Sequence, residues 1–276
     1  MDDKLIFYYC NVATAFSILK NNEIWMTSIR NMNDANESIG VYKIFFNLLK
    51  KFDEENLNKL HSMLEFAITP GAIQIYENPL GAYPEYAVCF SKNSDSVSQW
   101  IAYADNGQGL AIGFDENEFN KIVSESNGSL KYQNISYISE ENVQPFIPSI
   151  YKDLTDNLCD NTIEMMDRAM KQIKSHFDSG INYKTKHYES ERETRLIYTK
   201  HNELQKLSDG WKIKKAEVFA KRNMLNTYIP LTFPKSIIKK IITGPNYQKN
   251  FFEVEIALEA LGYPKLQVEE STSGYR

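Results

Sequence analysis

The first 28 residues confine a strand, a helix and a second strand to so short a span that the chain must mix the two kinds of element. Residues 4–10 (KLIFYYC) are aromatic and β-branched, the composition of a buried strand, and they end at Asn11, a residue type that caps helix N-termini. Ala15, Ile18 and Leu19 then repeat at helical spacing until Asn21 and Asn22 stop the helix, and EIWMTS begins another strand. An α+β fold follows from this β-α-β opening.

The same reading extends along the chain. After the Asn-rich turn NMNDANE, apolar residues at Ile44, Phe45, Leu48, Leu49, Phe52, Leu57, Leu60, Leu64 and Phe66 predict one or two amphipathic helices against a sheet. Residues 68–84 carry three Pro and two Gly and read as a loop. YAVCFS (86–91) predicts a strand, SVSQWIAYA (96–104) a short helix, QGLAIGFD (108–115) a strand and LKYQNISYI another. From 149 to 178 the stripe Ile150, Leu154, Leu158, Ile163, Met166, Met170, Ile173 and Phe177 predicts one long helix, closed by Asp178, Ser179 and Gly180. ESERETRLIYT, WKIKKAEVF and NTYIPLTF predict strands. KSIIKKIITG predicts a helical turn into a strand, followed by a helix from Lys249 to Leu261 and a final extended KLQVEE. No repeat or Pro/Ser-rich linker divides the chain, so a single domain over 1–276 is expected, with the 68–84 loop and a 139–180 helical insertion inside it.

Charge and cysteine content narrow the function classes. The net charge of −5 gives no global attraction to a phosphate backbone. Nucleic-acid contact would need a local patch, for which Lys212, Lys214, Lys215, Lys221 and Arg222, or Lys235, Lys239 and Lys240, are the candidates. Cys10, Cys89 and Cys159 are too few and too scattered for a disulfide framework or a thiolate cage. With acidic residues near the N-terminus and no membrane-length apolar run, a cytoplasmic location without membrane contact is expected. No phosphate-binding loop, dinucleotide fingerprint, HExxH, CxxC or GxSxG is present, and His61, His176, His187 and His201 lack metal-ligand spacing, so no metal is expected.

Three constellations remain. If ESERETRLIYT is a strand throughout, its period of two places Glu189, Glu191, Glu193, Arg195 and Ile197 on one face. Such crowded carboxylates need partners, either Lys212 or Lys214 on a neighbouring strand or a ligand whose positive centre they stabilise. Asn31, Asn33, Asp34, Asn36 and Glu37 form a polar loop that makes turns or meets a ligand. Ser91, Gln99, Trp100 and Tyr103 lie where a strand end passes into a helix, with Trp100 and Tyr103 on one helix face as core or as a stacking wall.

Taken in order, FYYC, ILKNNEIWMTS, MNDANE, CFS, QWIAYADNGQGLAIGFD, KHYESERETRLIY and IIKKIITGP resemble a bacterial family known as domain of unknown function 2971, which recurs near phage-defence genes. That family is in turn distantly similar to ADP-ribosyltransferases. The resemblance implies a split mixed or antiparallel sheet with flanking helices and a long inserted helix. It also implies NAD as substrate, without a metal. Carried over, Glu193 or Glu191 is the catalytic carboxylate held by Arg195. Tyr8, Tyr9, Asn33, Asp34, Glu37, Ser91, Trp100 and Tyr103 then surround NAD. The first-strand basic residue of the pattern, often His, is Tyr8 here, so NAD is gripped differently or the activity is altered.

The resemblance therefore implies an ADP-ribosyl transfer enzyme, a toxin or effector in anti-phage defence. Its acceptor would be RNA, DNA or protein, and other defence proteins would be its partners. Two other readings stay open on the residues alone: a metal-independent ribonuclease using the same Glu and Arg cluster with Tyr as acid or base, and a non-catalytic sensor of a phage component.

Overall fold

A computed structural model describes residues 4–29, 40–56, 58–67, 85–177, 182–199, 207–208, 210–221, 224–248 and 251–275. The 68–84 loop and Asn33, Asp34 and Glu37 lie outside the described residues. Contacts divide the chain into two compact units, one of residues 1–31, 83–134 and 190–276 and the other of residues 32–82 and 135–189.

The first unit is built on one sheet that is antiparallel except at one edge. The opening is β1 (Leu5–Cys10), α1 (Val12–Asn21) and β2 (Glu23–Ser28), as the sequence predicts. The Asn11 side chain accepts from the Thr14 N–H at 2.8 Å, and Asn22 closes α1 in the left-handed conformation at φ 51°. Ala15, Ile18 and Leu19 are the buried residues of α1.

Next come β3 (Glu85–Ser91), α4 (Val97–Tyr103; α2 and α3 belong to the second unit), β4 (Leu110–Asp115), α5 (Glu116–Glu125) and β5 (Leu130–Asn134). The sheet is completed by β8 (Glu193–Thr199), β9 (Lys212–Ile213), β10 (Glu217–Lys221), β11 (Met224–Thr232), β12 (Ile238–Thr243) and β13 (Gln267–Glu270). A further helix, α9, spans Phe251–Ala260. Only β12 and β13 pair in parallel among the described strands of this sheet.

The sheet divides at β3. One edge of β3 pairs with β8 along its whole length, from Glu85↔Thr199 to Ser91↔Glu193. The other edge is shared, with β2 at Thr27↔Ala87 and Ser28↔Tyr86 and with β1 at Phe7↔Ser91. The main core covers one face, where Phe90, Phe114, Phe119, Trp211 and Phe233 meet edge-on or tilted. A smaller cluster of Phe7, Tyr9, Trp100, Ala104, Ala111 and Ile242 forms separately. These aromatic residues fill the core, as their area makes favourable.

Two segments that are far apart in sequence dock through glycine. Gly109 follows the turn after α4, and a Cβ there would sit 2.2 Å from the Cys10 carbonyl oxygen. Gly244 follows β12, and a Cβ there would sit 2.2 Å from the Gly107 carbonyl oxygen. The Gly244 N–H donates to the Gly109 carbonyl at 2.9 Å, so the backbones approach as closely as a hydrogen bond allows.

The second unit contains α2 (Gly40–Glu55), α3 (His61–Ala67), α6 (Glu140–Val143), α7 (Ile147–Asp156) and α8 (Thr162–His176), with a parallel pair of β6 (Ser136–Ile138) and β7 (Tyr183–Thr185). Its core gathers Phe45, Phe46, Leu49, Ile150, Leu154 and Met170, among others. Buried Asp53 accepts from the Leu60 N–H at 2.9 Å and from the Tyr151 hydroxyl at 3.1 Å, tying α2 to α7.

Four predicted elements are corrected. The single long helix over 149–178 is two helices, because Asn161 caps a new start by accepting from the Ile163 and Glu164 N–H groups. Leu158 and Ile163, which the stripe counted as core, are consequently 53% and 62% exposed. LKYQNISYI breaks at Ile135 into β5 and β6, which belong to different sheets. WKIKKAEVF is two short strands, and residues 116–125 form a helix that the sequence reading passed over.

Candidate active site

The fourth correction concerns the carboxylate strand. ESERETRLIYT is extended only from Glu193. Residues Lys186–Glu191 form a 3-10 turn, and Arg192 joins the two with a left-handed φ of 43°. Glu189 and Glu191 therefore do not share a strand face with Glu193. A non-glycine residue in this region costs free energy and persists only where its surroundings hold it. Here the Arg192 carbonyl accepts from the Lys92 N–H at 3.0 Å, and its guanidinium reaches Asn93 Oδ1 at 3.3 Å.

On β8, Glu193 and Arg195 share a face, as alternate strand residues must. Arg195 is 0% exposed, and its Nε donates to Glu193 Oε1 at 2.6 Å while Nη2 donates to Oε2 at 3.3 Å. Such two-point pairing gives a buried carboxylate a fixed orientation. Lys212 and Lys214, expected as cross-strand partners, lie elsewhere: β9 pairs with β11, and Lys214 forms its ion pair with Glu23.

Glu191 ends the 3-10 turn two residues before the strand and is also buried. Its backbone carbonyl accepts from the Ser91 hydroxyl at 2.6 Å, and its carboxylate lies 3.5 Å from the hydroxyl of Tyr103, the last residue of α4. Tyr103 is 37% exposed, so an aromatic ring reaches solvent beside this carboxylate. Ser91 thus holds the turn through its hydroxyl, which also accepts from the Asn93 N–H at 3.1 Å.

Tyr9 and Trp100 support this corner from inside. The Tyr9 hydroxyl donates to the Asn93 carbonyl at 2.9 Å and accepts from the Ser96 N–H at 3.0 Å, and burial, the largest influence, raises its phenol above the usual range. Trp100 packs edge-on against Tyr9 with ring centroids 4.7 Å apart and is fully buried, so it has no face open to a ligand. Tyr8 is placed apart. It packs against Phe90 on the main core, because Phe7, Ser91 and Glu193 are in register on the opposite face.

Asp95, which sequence reasoning passed over, organises the loop between β3 and α4. Its carboxylate accepts from Trp100 Nε1 at 2.6 Å, Ser271 Oγ at 2.6 Å, Thr272 N at 2.7 Å, Thr272 Oγ1 at 2.9 Å and Ser273 N at 3.0 Å. Burial alone would push this carboxyl up, but the donors from Ser271, Trp100 and Thr272 together outweigh it and hold it below the usual range. A lone Asp in SKNSDS reads as a turn former, and its partners other than Trp100 lie more than 170 residues away, so no local signal marks it.

Glu116 was also missed. It is buried beside the Tyr132 hydroxyl at 2.9 Å and the Lys4 ammonium at 3.0 Å, the latter an ion pair without hydrogen-bond geometry.

Residues 99–196 match a protein family described as "Protein of unknown function (DUF2971)". That region runs from α4 into β8, so it contains Tyr103, Glu191, Glu193 and Arg195, while Tyr8, Tyr9, Ser91 and Asp95 lie before it. No curated protein and no solved structure gives a significant match to the chain. Among the described residues, no helix of the protein is long and apolar enough to cross a membrane.

Proposed function

We propose that this protein is an ADP-ribosyltransferase-like enzyme that takes NAD as substrate in the cytoplasm and transfers ADP-ribose to a macromolecular acceptor. The observation that carries this reading is the meeting of the Glu191 carboxylate with the 37% exposed Tyr103, two residues before a second carboxylate, Glu193, that Arg195 fixes. Breaking the bond between the ribose anomeric carbon and nicotinamide leaves the electron pair on nicotinamide and a positive charge on the sugar. A carboxylate held at that point stabilises the charge as it develops. The acceptor then supplies a lone pair to the anomeric carbon and releases its proton to solvent.

Glu191, whose carboxylate meets the exposed Tyr103, takes the charge-stabilising role, while Glu193 and Arg195 pair with each other on β8. Tyr103 offers its ring to nicotinamide. Exposed Arg192, held by Asn93, offers a cation to the diphosphate. A family that recurs near phage-defence genes fits an effector that attacks nucleic acid or protein.

The test is to incubate the protein with NAD, cell lysate and EDTA, following nicotinamide release and ADP-ribose attachment together. Glu191→Gln is expected to lower release by about 10²–10³-fold, the effect typical of removing one electrostatic stabiliser. Full turnover by Glu191→Gln/Glu193→Gln would sink the mechanism. RNA cleavage that needs no NAD would support a ribonuclease instead.

A further inference from the structure

One cavity of the first unit has the chemistry of an anion site and shares no residue with the candidate active site. It occupies 330 Å³ between the turn before β12 and the end of α9, and is lined by Lys235, Lys239, Lys265, Ser236, Gly262 and Tyr263 among others. We propose that this cavity binds a phosphate group, carried by a small phosphorylated molecule or by one nucleotide unit of a nucleic-acid strand.

The cations are placed by the fold rather than scattered over a face. Lys235 Nζ donates to the Leu261 carbonyl at 2.6 Å and lies 4.9 Å from the centre of the Tyr263 ring. That ring is locked in turn, because its hydroxyl donates to Asn22 Oδ1 at 2.6 Å. Gly262 leaves the space the ammonium fills, since a Cβ there would sit 2.6 Å from Lys235 Nζ. Lys239 Nζ is 3.8 Å from Asp115 Oδ2, an ion pair beyond hydrogen-bond length, so its donors are spent on neither Asp115 nor the backbone. Lys265 is exposed at the rim.

Three ammonium groups against the carboxylate of Asp115 make this a local positive field in a chain whose net charge is −5. The volume lies at the low end of the range for ligand pockets, about 300–1,000 Å³, which suits one nucleotide-sized group and excludes a large ligand. Lys235 alone is explained as a cap on the C-terminal end of α9, where cations are favoured. Lys239 and Lys265 have no such duty and are the residues to test.

The experiment is calorimetric titration of the full chain with pyrophosphate, AMP and a ten-nucleotide single-stranded RNA at low salt, using Lys239→Gln/Lys265→Gln and, as a charge-matched control, Lys121→Gln/Lys152→Gln. Thermal unfolding confirms that both variants are folded. The cavity variant is expected to bind at least about tenfold more weakly while the control keeps its affinity, because losing charged hydrogen bonds to a phosphate costs at least that factor. Tightest binding of AMP or pyrophosphate identifies a small-molecule site, and tighter binding of the RNA identifies a strand site. Absence of binding by all three, or equal weakening in both variants, overturns the proposal. Failure of the NAD assay leaves it standing, since no residue is shared.

Discussion

Arg195 is fully buried and donates through Nε to Glu193, two positions earlier on the same strand, at 2.6 Å. A cation this deep is tolerated because its partner lies on its own strand face, so β8 carries both halves of the pair wherever it packs. Removing one half strands the other. Arg195→Met is expected to lower unfolding free energy by about 3–5 kcal/mol in urea denaturation, while Glu193→Leu/Arg195→Met costs clearly less than the two single changes added together. Strict additivity would show that the pair is not coupled.

Tyr103 separates a hydroxyl role from a ring role. The 3.5 Å distance to Glu191 is too long for a strong hydrogen bond, so Tyr103→Phe should change nicotinamide release by no more than about threefold. Tyr103→Ala removes the stacking surface and should raise KM by about tenfold with a smaller effect on kcat. The reverse order would assign the work to the hydroxyl.

Asp95 couples stability to acid. Its carboxyl is held below the ordinary range, so its contribution is fully present above the unfolded value, about 3.9, and is lost as pH falls through the lower folded value. The stability difference between the wild type and Asp95→Asn should be constant from pH 5 to pH 8 and shrink below about pH 4. A difference that grows on acidification would reverse the assigned sign. Loosening of Trp100 in the variant should appear as a change in tryptophan fluorescence.

Cysteine reactivity should follow burial. Burial pushes the Cys10 thiol up to about 12, so almost no thiolate forms near neutrality. Brief iodoacetamide treatment of the native protein at pH 8 should modify half-buried Cys159 and leave Cys10 unmodified until the chain is denatured. Early labelling of Cys10, read by mass spectrometry, would show that β1 opens readily.

Gly109→Ala tests the docking of the turn after α4 on β1. The new Cβ would meet a backbone oxygen, which cannot swing away as a side chain does, so a loss of about 1–3 kcal/mol is expected by thermal or chemical unfolding. Gly128→Ala, where nothing lies within 4 Å but φ is +83°, separates steric contact from conformational cost.

Local physics made much of the fold legible. Continuous apolar runs rich in aromatic and β-branched residues marked β1 and β3, an Asn cap and helical spacing marked α1, and KSIIKKIITG was read as a helical turn into β12. Errors arose where a polar residue chose between competing local states. Asn161 can cap a helix or sit within one, and only its bonds to Ile163 and Glu164 show that it restarts the chain. Arg192 gave no sign that it turns left-handed, since that conformation is held by Lys92 and Asn93, about a hundred positions away.

Periodicity and residue type act over a few neighbours, so the mixed α+β class, the run of carboxylates before and within β8, and the aromatic supply of the core were readable from the residues in order. Tertiary structure alone decided which carboxylate meets Tyr103, that Arg195 engages Glu193, that Trp100 is interior and that Tyr8 faces away from both. These depend on strand register and on partners distant in sequence, where a shift of one residue reverses every face.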